Sequence, residues 1–126
     1  MSQPQWLVKY SERQQATSQQ AIERATDIIL RATGKPRSYY TTRSRKVEFV
    51  AYRALFSYIA VELGASYTDV GKALNRSHAT VIHAYDTYTI YATTWEPLAQ
   101  LRNKVINLST TKRNAKHRRN TKSRTR

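Results

Sequence analysis

The stretch Ser66 to Ala84, SYTDVGKALNRSHATVIHA, constrains the fold more tightly than any other part of the chain. It holds two short helical patterns separated only by the polar residues Asn75, Arg76 and Ser77, so the second helix must turn sharply away from the first. Ser66 reads as the N-cap of the first helix, and Asp69, completing a capping box, lies favourably at the positive helix end. Val70, Ala73 and Leu74 then point inward, and Gly71 permits close approach of the helix that follows. Ser77 caps the second helix, which buries Val81, Ala84, Tyr85, Tyr88 and Ala92. The opposite side carries Ala79, His83, Asp86 and Thr87, with His78 and Thr80 bordering it in the first turn. A helix-turn-helix whose second helix starts with small polar residues has the form needed to set that turn against DNA bases.

The flanking sequence supplies a helical scaffold. Thr17 and Gln20 form a capping box ahead of Ile22, Ala25, Ile28 and Ile29, and that helix should stop at Thr33-Gly34, with Pro36 preventing continuation. Pro36 can start one helical turn carrying Tyr39 and Tyr40 to the core, and the segment from Thr41 to Lys46 reads as a basic loop. From Lys46 to Leu63, Phe49, Tyr52, Phe56, Ile59 and Leu63 recur at steps of three and four, which predicts a long core helix ended by Gly64. On that helix Lys46, Arg53 and Ser57 share one flank, expected to be an open surface for phosphate or base contacts. A last helix, capped by Thr93 or Thr94 and holding Pro97 in its first turn, should bury Leu98, Leu101, Val105, Ile106 and Leu108, with Trp95 closing the core.

Charge narrows the partner. The chain has 22 Lys and Arg against 8 Asp and Glu, a net charge of +14. Many of the basic residues, among them Lys112, Arg113, Lys116, Arg118 and Arg119, fall after Thr110, where no acid occurs. A tail of like charge with few apolar residues should stay disordered until it meets phosphate. Nucleic acid suits it better than a membrane, because it has no apolar face to insert. The expected division is an N-terminal extension at 1–16, a helix-turn-helix domain at 17–108 and a disordered basic tail at 109–126.

The run RKVEFVAYRALFSYIAVEL followed by SYTDVGKALNRSHATVIHA resembles the C-terminal DNA-binding domain, domain IV, of the bacterial replication initiator DnaA. The family's pattern is a basic loop, a long helix with an internal Arg, a helix-turn-helix, and a signature of the histidine-threonine-valine-leucine-histidine-alanine type. The resemblance covers roughly residues 20 to 108, with its specific part from Arg45 to Ala84. It implies an all-α helix-turn-helix bundle, Trp-repressor-like, of about five to six helices. It further implies that Arg45 reaches the minor groove, and that Arg53 contacts the backbone or the major groove. Ser77, His78, Ala79 and Thr80 would enter the major groove, flanked by Tyr67 and Thr68, while Arg43, Lys46 and Arg76 would join the tail on phosphates. Two positions depart from the pattern: Ser77 stands where the family has an acid, and Ala79 where it has a second hydroxyl residue. An acid accepts from a cytosine amine, whereas Ser is permissive and Ala offers only a methyl to a thymine methyl, so base preference should differ.

The expected partner is double-stranded DNA, with no small-molecule substrate and no cofactor. There are no cysteines, His78, His83 and His117 lack the neighbours of a metal site, and no nucleophile, base and orienter come together, so no enzyme activity is expected. No G-x-x-x-x-G-K-[ST] occurs, so ATP binding of the initiator's kind is not expected either. No targeting or membrane-spanning segment is evident, which suggests a DNA-associated cytoplasmic protein. Replication initiation or its control, transcriptional regulation, and sequence-blind coating of nucleic acid all remain compatible with these residues, and oligomeric state is not legible.

Overall fold

A computed structural model describes residues 17–108; the expectations for residues 1–16 and for the basic tail at 109–126, including Lys112, Arg113, Lys116, Arg118 and Arg119, lie outside them. The described residues form five α-helices and one 3-10 turn, with no strand among them. Helix α1 is Ser18–Thr33, the 3-10 turn is Arg37–Tyr39, α2 is Val47–Glu62, α3 is Tyr67–Leu74, α4 is His78–Tyr91 and α5 covers residues 96–108. None of these helices is long and apolar enough to cross a membrane.

Local sequence determines the ends. The Gln20 N–H donates to Thr17 Oγ1 and the Thr17 N–H to Gln20 Oε1, which is the reciprocal capping box at the start of α1. Gly34 ends that helix in the left-handed conformation, φ 79°, and its N–H closes on the Leu30 carbonyl. Ser66 caps α3 by accepting from the Asp69 N–H, but the reciprocal half of the expected box is supplied from elsewhere. The Ser66 N–H donates to Ser18 Oγ at 3.0 Å, which fastens the start of α1 to the entry of the helix-turn-helix.

Helix α2 is the centre of the molecule. Every residue from 51 to 60 is buried, including Arg53 and Ser57. The apolar stripe predicted for it is therefore too narrow: α1 and α3 pack on it, α4 runs along it, and the Tyr39-Tyr40 turn covers what remains. Tyr40 is fully buried, stacked on Tyr52 at 5.4 Å and tilted against Phe56 at 5.8 Å. The seam with α4 is also aromatic, with Tyr58 stacked on Tyr88 at 4.1 Å and the Tyr85 hydroxyl donating to the Glu62 carboxylate. Helix α5 closes the core with Leu98, Leu101 and Val105. Its first carbonyl is that of Trp95, which accepts from the Ala99 N–H, so it starts one residue later than a cap at Thr94 would require. The Tyr91 carbonyl accepts from both Thr94 and Trp95, carrying the chain through a tight turn in between.

Candidate nucleic-acid interface

The corner between α3 and α4 is built from three local devices. Asn75 takes the left-handed conformation, φ 60° and ψ 46°, which Asn tolerates better than most side chains. The next residue folds back, its N–H donating to the Gly71 carbonyl at 2.8 Å. A Cβ at Gly71 would stand 2.6 Å from the Arg76 carbonyl oxygen, so only glycine lets the corner close this far. Ser77 then caps α4: its Oγ accepts from the Thr80 N–H and lies 3.1 Å from Thr80 Oγ1.

That capping pair divides the first turn of α4. The hydroxyls of Ser77 and Thr80 are engaged with each other, whereas His78, Ala79, Ile82 and His83 are exposed around the outward face. Ile82 is 38% exposed, an apolar side chain one turn beyond Ala79 that sequence reasoning did not single out. Thr68 is exposed at the start of α3, but Tyr67 is half-buried, its ring edge-on to Tyr85 at 6.1 Å. The free N–H groups and positive dipole end of α4 add a further preference for anions at this corner.

Beside the corner lies the basic loop, which its own hydroxyls shape. The Ser44 N–H donates to Thr42 Oγ1 and the Lys46 N–H to Ser44 Oγ, each two residues on. Thr-x-Ser-x alternation therefore supports the loop from within, and the intervening Arg43 and Arg45 are exposed, as is Lys46. This pattern was present in TTRSRK as a signal for ordered structure in what reads otherwise as a charge run.

Arg53 requires a correction. The expected open flank of α2 is covered by this loop, and Arg53 is only 7% exposed. Its Nε donates to the Tyr40 carbonyl at 2.7 Å, and its Nη2 to the carbonyls of Thr42 at 2.5 Å and Ser44 at 2.8 Å. Burial disfavours the charged guanidinium and the nearby Arg76 adds repulsion, so its pKa is lowered. Arg76 donates from Nη2 to the same Thr42 carbonyl at 2.5 Å and from Nη1 to the Asn75 carbonyl at 3.1 Å.

Between the loop and α4 runs a groove of about 720 Å³, lined by Arg43, Arg45, Arg53, Arg76, Asn75 and His83 among others. Its rim is rich in donors and positive charge, and α4 lines one wall with Thr80, Val81, His83, Ala84 and Thr87, so that of its outward residues it is His83 that borders the groove. Phosphate can be held by such a rim, and base edges can be met by the short side chains at the start of α4.

A family model described as the bacterial DnaA protein helix-turn-helix matches residues 22–87, from the first turns of α1 through most of α4 and just over half of the chain. No curated protein and no solved structure matches it.

Proposed function

Because the chain belongs to the bacterial DnaA helix-turn-helix family, we propose that it is a sequence-preferring reader of double-stranded DNA whose role lies in replication initiation or its control. The observation that carries this reading is a stapled loop bearing exposed Arg43 and Arg45 that faces Thr80 and His83 of α4 across one positively lined groove, with His78 and Ala79 exposed on the same first turn. In the proposed complex His78 and Ala79 meet base edges in the major groove, with Ser77 and Thr80 beside them and Tyr67 and Thr68 flanking. Arg45 enters the minor groove, where a narrow groove concentrates negative potential. Arg43, Lys46 and Arg76 hold phosphates, which sets register without reading sequence.

Within this reading residues 17–108 form the reading domain and residues 109–126 add sequence-blind affinity through counterion release. The chain contains no phosphate-binding G-x-x-x-x-G-K-[ST]. A reader lacking that motif can occupy initiator boxes, and duplex melting would be the work of a different module. A transcriptional regulator would use the same surface.

Selection of bound duplexes from a random pool tests the reading. Convergence on a defined site, followed by its outcompeting a scrambled duplex at raised salt, is the expected result. Equal competition by all sequences would leave only a charge-driven coating protein. Removing residues 111–126 should weaken binding to both duplexes alike and flatten its salt dependence.

A further inference from the structure

Arg53 pairs with no carboxylate among the described residues, yet it is buried beside three other arginines that line the same groove. An isolated buried cation is strongly unfavourable unless its donors are satisfied. Here the compensation comes from backbone carbonyls of alternate residues, Tyr40, Thr42 and Ser44. These three contacts hold the loop against α2 by its backbone and leave the side chains of Arg43 and Arg45 exposed.

We infer that Arg53 is a positioning residue which holds the basic loop as a preformed probe and acts on DNA through Arg45, and that the shared Thr42 carbonyl joins this loop to the helix-turn-helix corner through Arg76. Without such a clasp the mutual repulsion of Arg43, Arg45, Arg53 and Arg76 would drive the loop outward, and its ordering would have to accompany binding. With it, loop and recognition helix meet DNA as one unit. A planar guanidinium offers several donors in a fixed fork and spans diverging carbonyls, which a lysine ammonium, as a single point of charge, does not. With two of its nitrogens engaged and the side chain 7% exposed, Arg53 is poorly placed for a phosphate of its own.

The inference rests on the DNA-reading function proposed above, and a mutant cycle in the full chain separates the two. Affinities for the pool-selected duplex and its scrambled form are measured for wild type, R53K, R53M, R45A and the double variants R45A/R53K and R45A/R53M. Trypsin cleavage after Arg43 and Arg45 is followed without DNA, alongside thermal melting by circular dichroism. The expected result is about a tenfold loss for the selected duplex in R53M, R53K and R45A, with no further loss in the double variants, since residues acting through one another are not additive. Cleavage within the loop should rise in R53K and R53M while melting stays cooperative. Additive losses, giving about a hundredfold in the double variants, would overturn the inference and make Arg53 an independent DNA contact. Wild-type binding and loop protection in R53K would overturn it equally, because the fork would then be dispensable. If R53M does not fold, the R53K cycle decides. A wild-type chain with no preference for the selected duplex would refute the DNA-reading function instead, and the cleavage pattern would still judge the clasp.

Discussion

Helices α2 and α4 are nearly equal in length, 16 and 14 residues, and pack against one another along an aromatic seam, yet they make opposite use of their surfaces. On α2 every residue from 51 to 60 is buried, charged Arg53 included. On α4 only Val81 and Tyr88 are, and Ile82 and Ile90 stand exposed among polar neighbours. The difference separates two tasks that a small domain must keep apart. A helix enclosed on all sides supplies the packing that makes the domain stable, and a helix held on one side by α2 and α3 leaves its other face for a partner.

Deep truncation in α2 should produce the largest effect. Phe56→Ala removes a fully buried ring packed on Tyr40, and a loss of about 3–5 kcal/mol of unfolding free energy is expected. Denaturant titration followed by circular dichroism measures it, and a loss under about 1 kcal/mol would deny α2 its central role.

The corner tests the link between the two helices. Gly71→Ala sets a Cβ 2.6 Å from the Arg76 carbonyl, a clash with backbone that must be relieved by moving the start of α4. Overpacking of this kind destabilises by about 1–3 kcal/mol, and the displaced α4 should also lose site preference. Unchanged stability in the same titration would mean that the corner yields more easily than its geometry implies.

Alkaline pH probes the seam itself. Burial, then the Glu62 carboxylate, pushes the Tyr58 phenol up to about 12, against an opposing pull from Arg102, and Tyr85 and Tyr88 are also raised, chiefly by burial. The folded state thus keeps protons that the unfolded chain releases near its ordinary pKa of about 10. Stability from these groups is whole below about pH 10 and falls as pH rises toward 12, by an amount on the order of 1 kcal/mol for Tyr58. Urea midpoints across that window should decline, and less steeply in Tyr58→Phe, which keeps the stacked ring without the phenol. An identical slope in both proteins would remove Tyr58 from the explanation.

The same contrast explains what could be read from the residues. Both ends of α1, the cap of α3 and the corner at Asn75 to Ser77 depend on neighbours a few positions away, and each is visible as a pattern in the chain. Long-range placement is different. A helical wheel puts Lys46, Arg53 and Ser57 on one polar flank, but it cannot reveal that the preceding loop folds back to cover Arg53 and satisfy it with carbonyls. The start of α5 differs from the expected threonine cap for a related reason, since threonines favour caps locally while the turn through the Tyr91 carbonyl sets the actual boundary. At the candidate site the exposed order of His78 and Ala79 follows from periodicity. The mutual engagement of Ser77 and Thr80 does not, because a hydroxyl at a helix start can cap, read a base, or do both.

The smallest effect on folding should come from α4's outward side, which the proposed function sets against DNA. His78 is exposed at the first turn, and the cap that holds this turn belongs to Ser77 and Thr80. His78→Ala should therefore leave unfolding free energy within about 0.5 kcal/mol of wild type. Its preference for the selected duplex over the scrambled one should nevertheless fall by about 1–3 kcal/mol, the value of a good base contact, while affinity for scrambled DNA changes little. Competition binding at one fixed salt concentration reads both quantities. Equal weakening on the two duplexes would move His78 from the bases to the phosphates. A stability loss rivalling that of Phe56→Ala would erase the division between an enclosed helix that stabilises and an open one that reads.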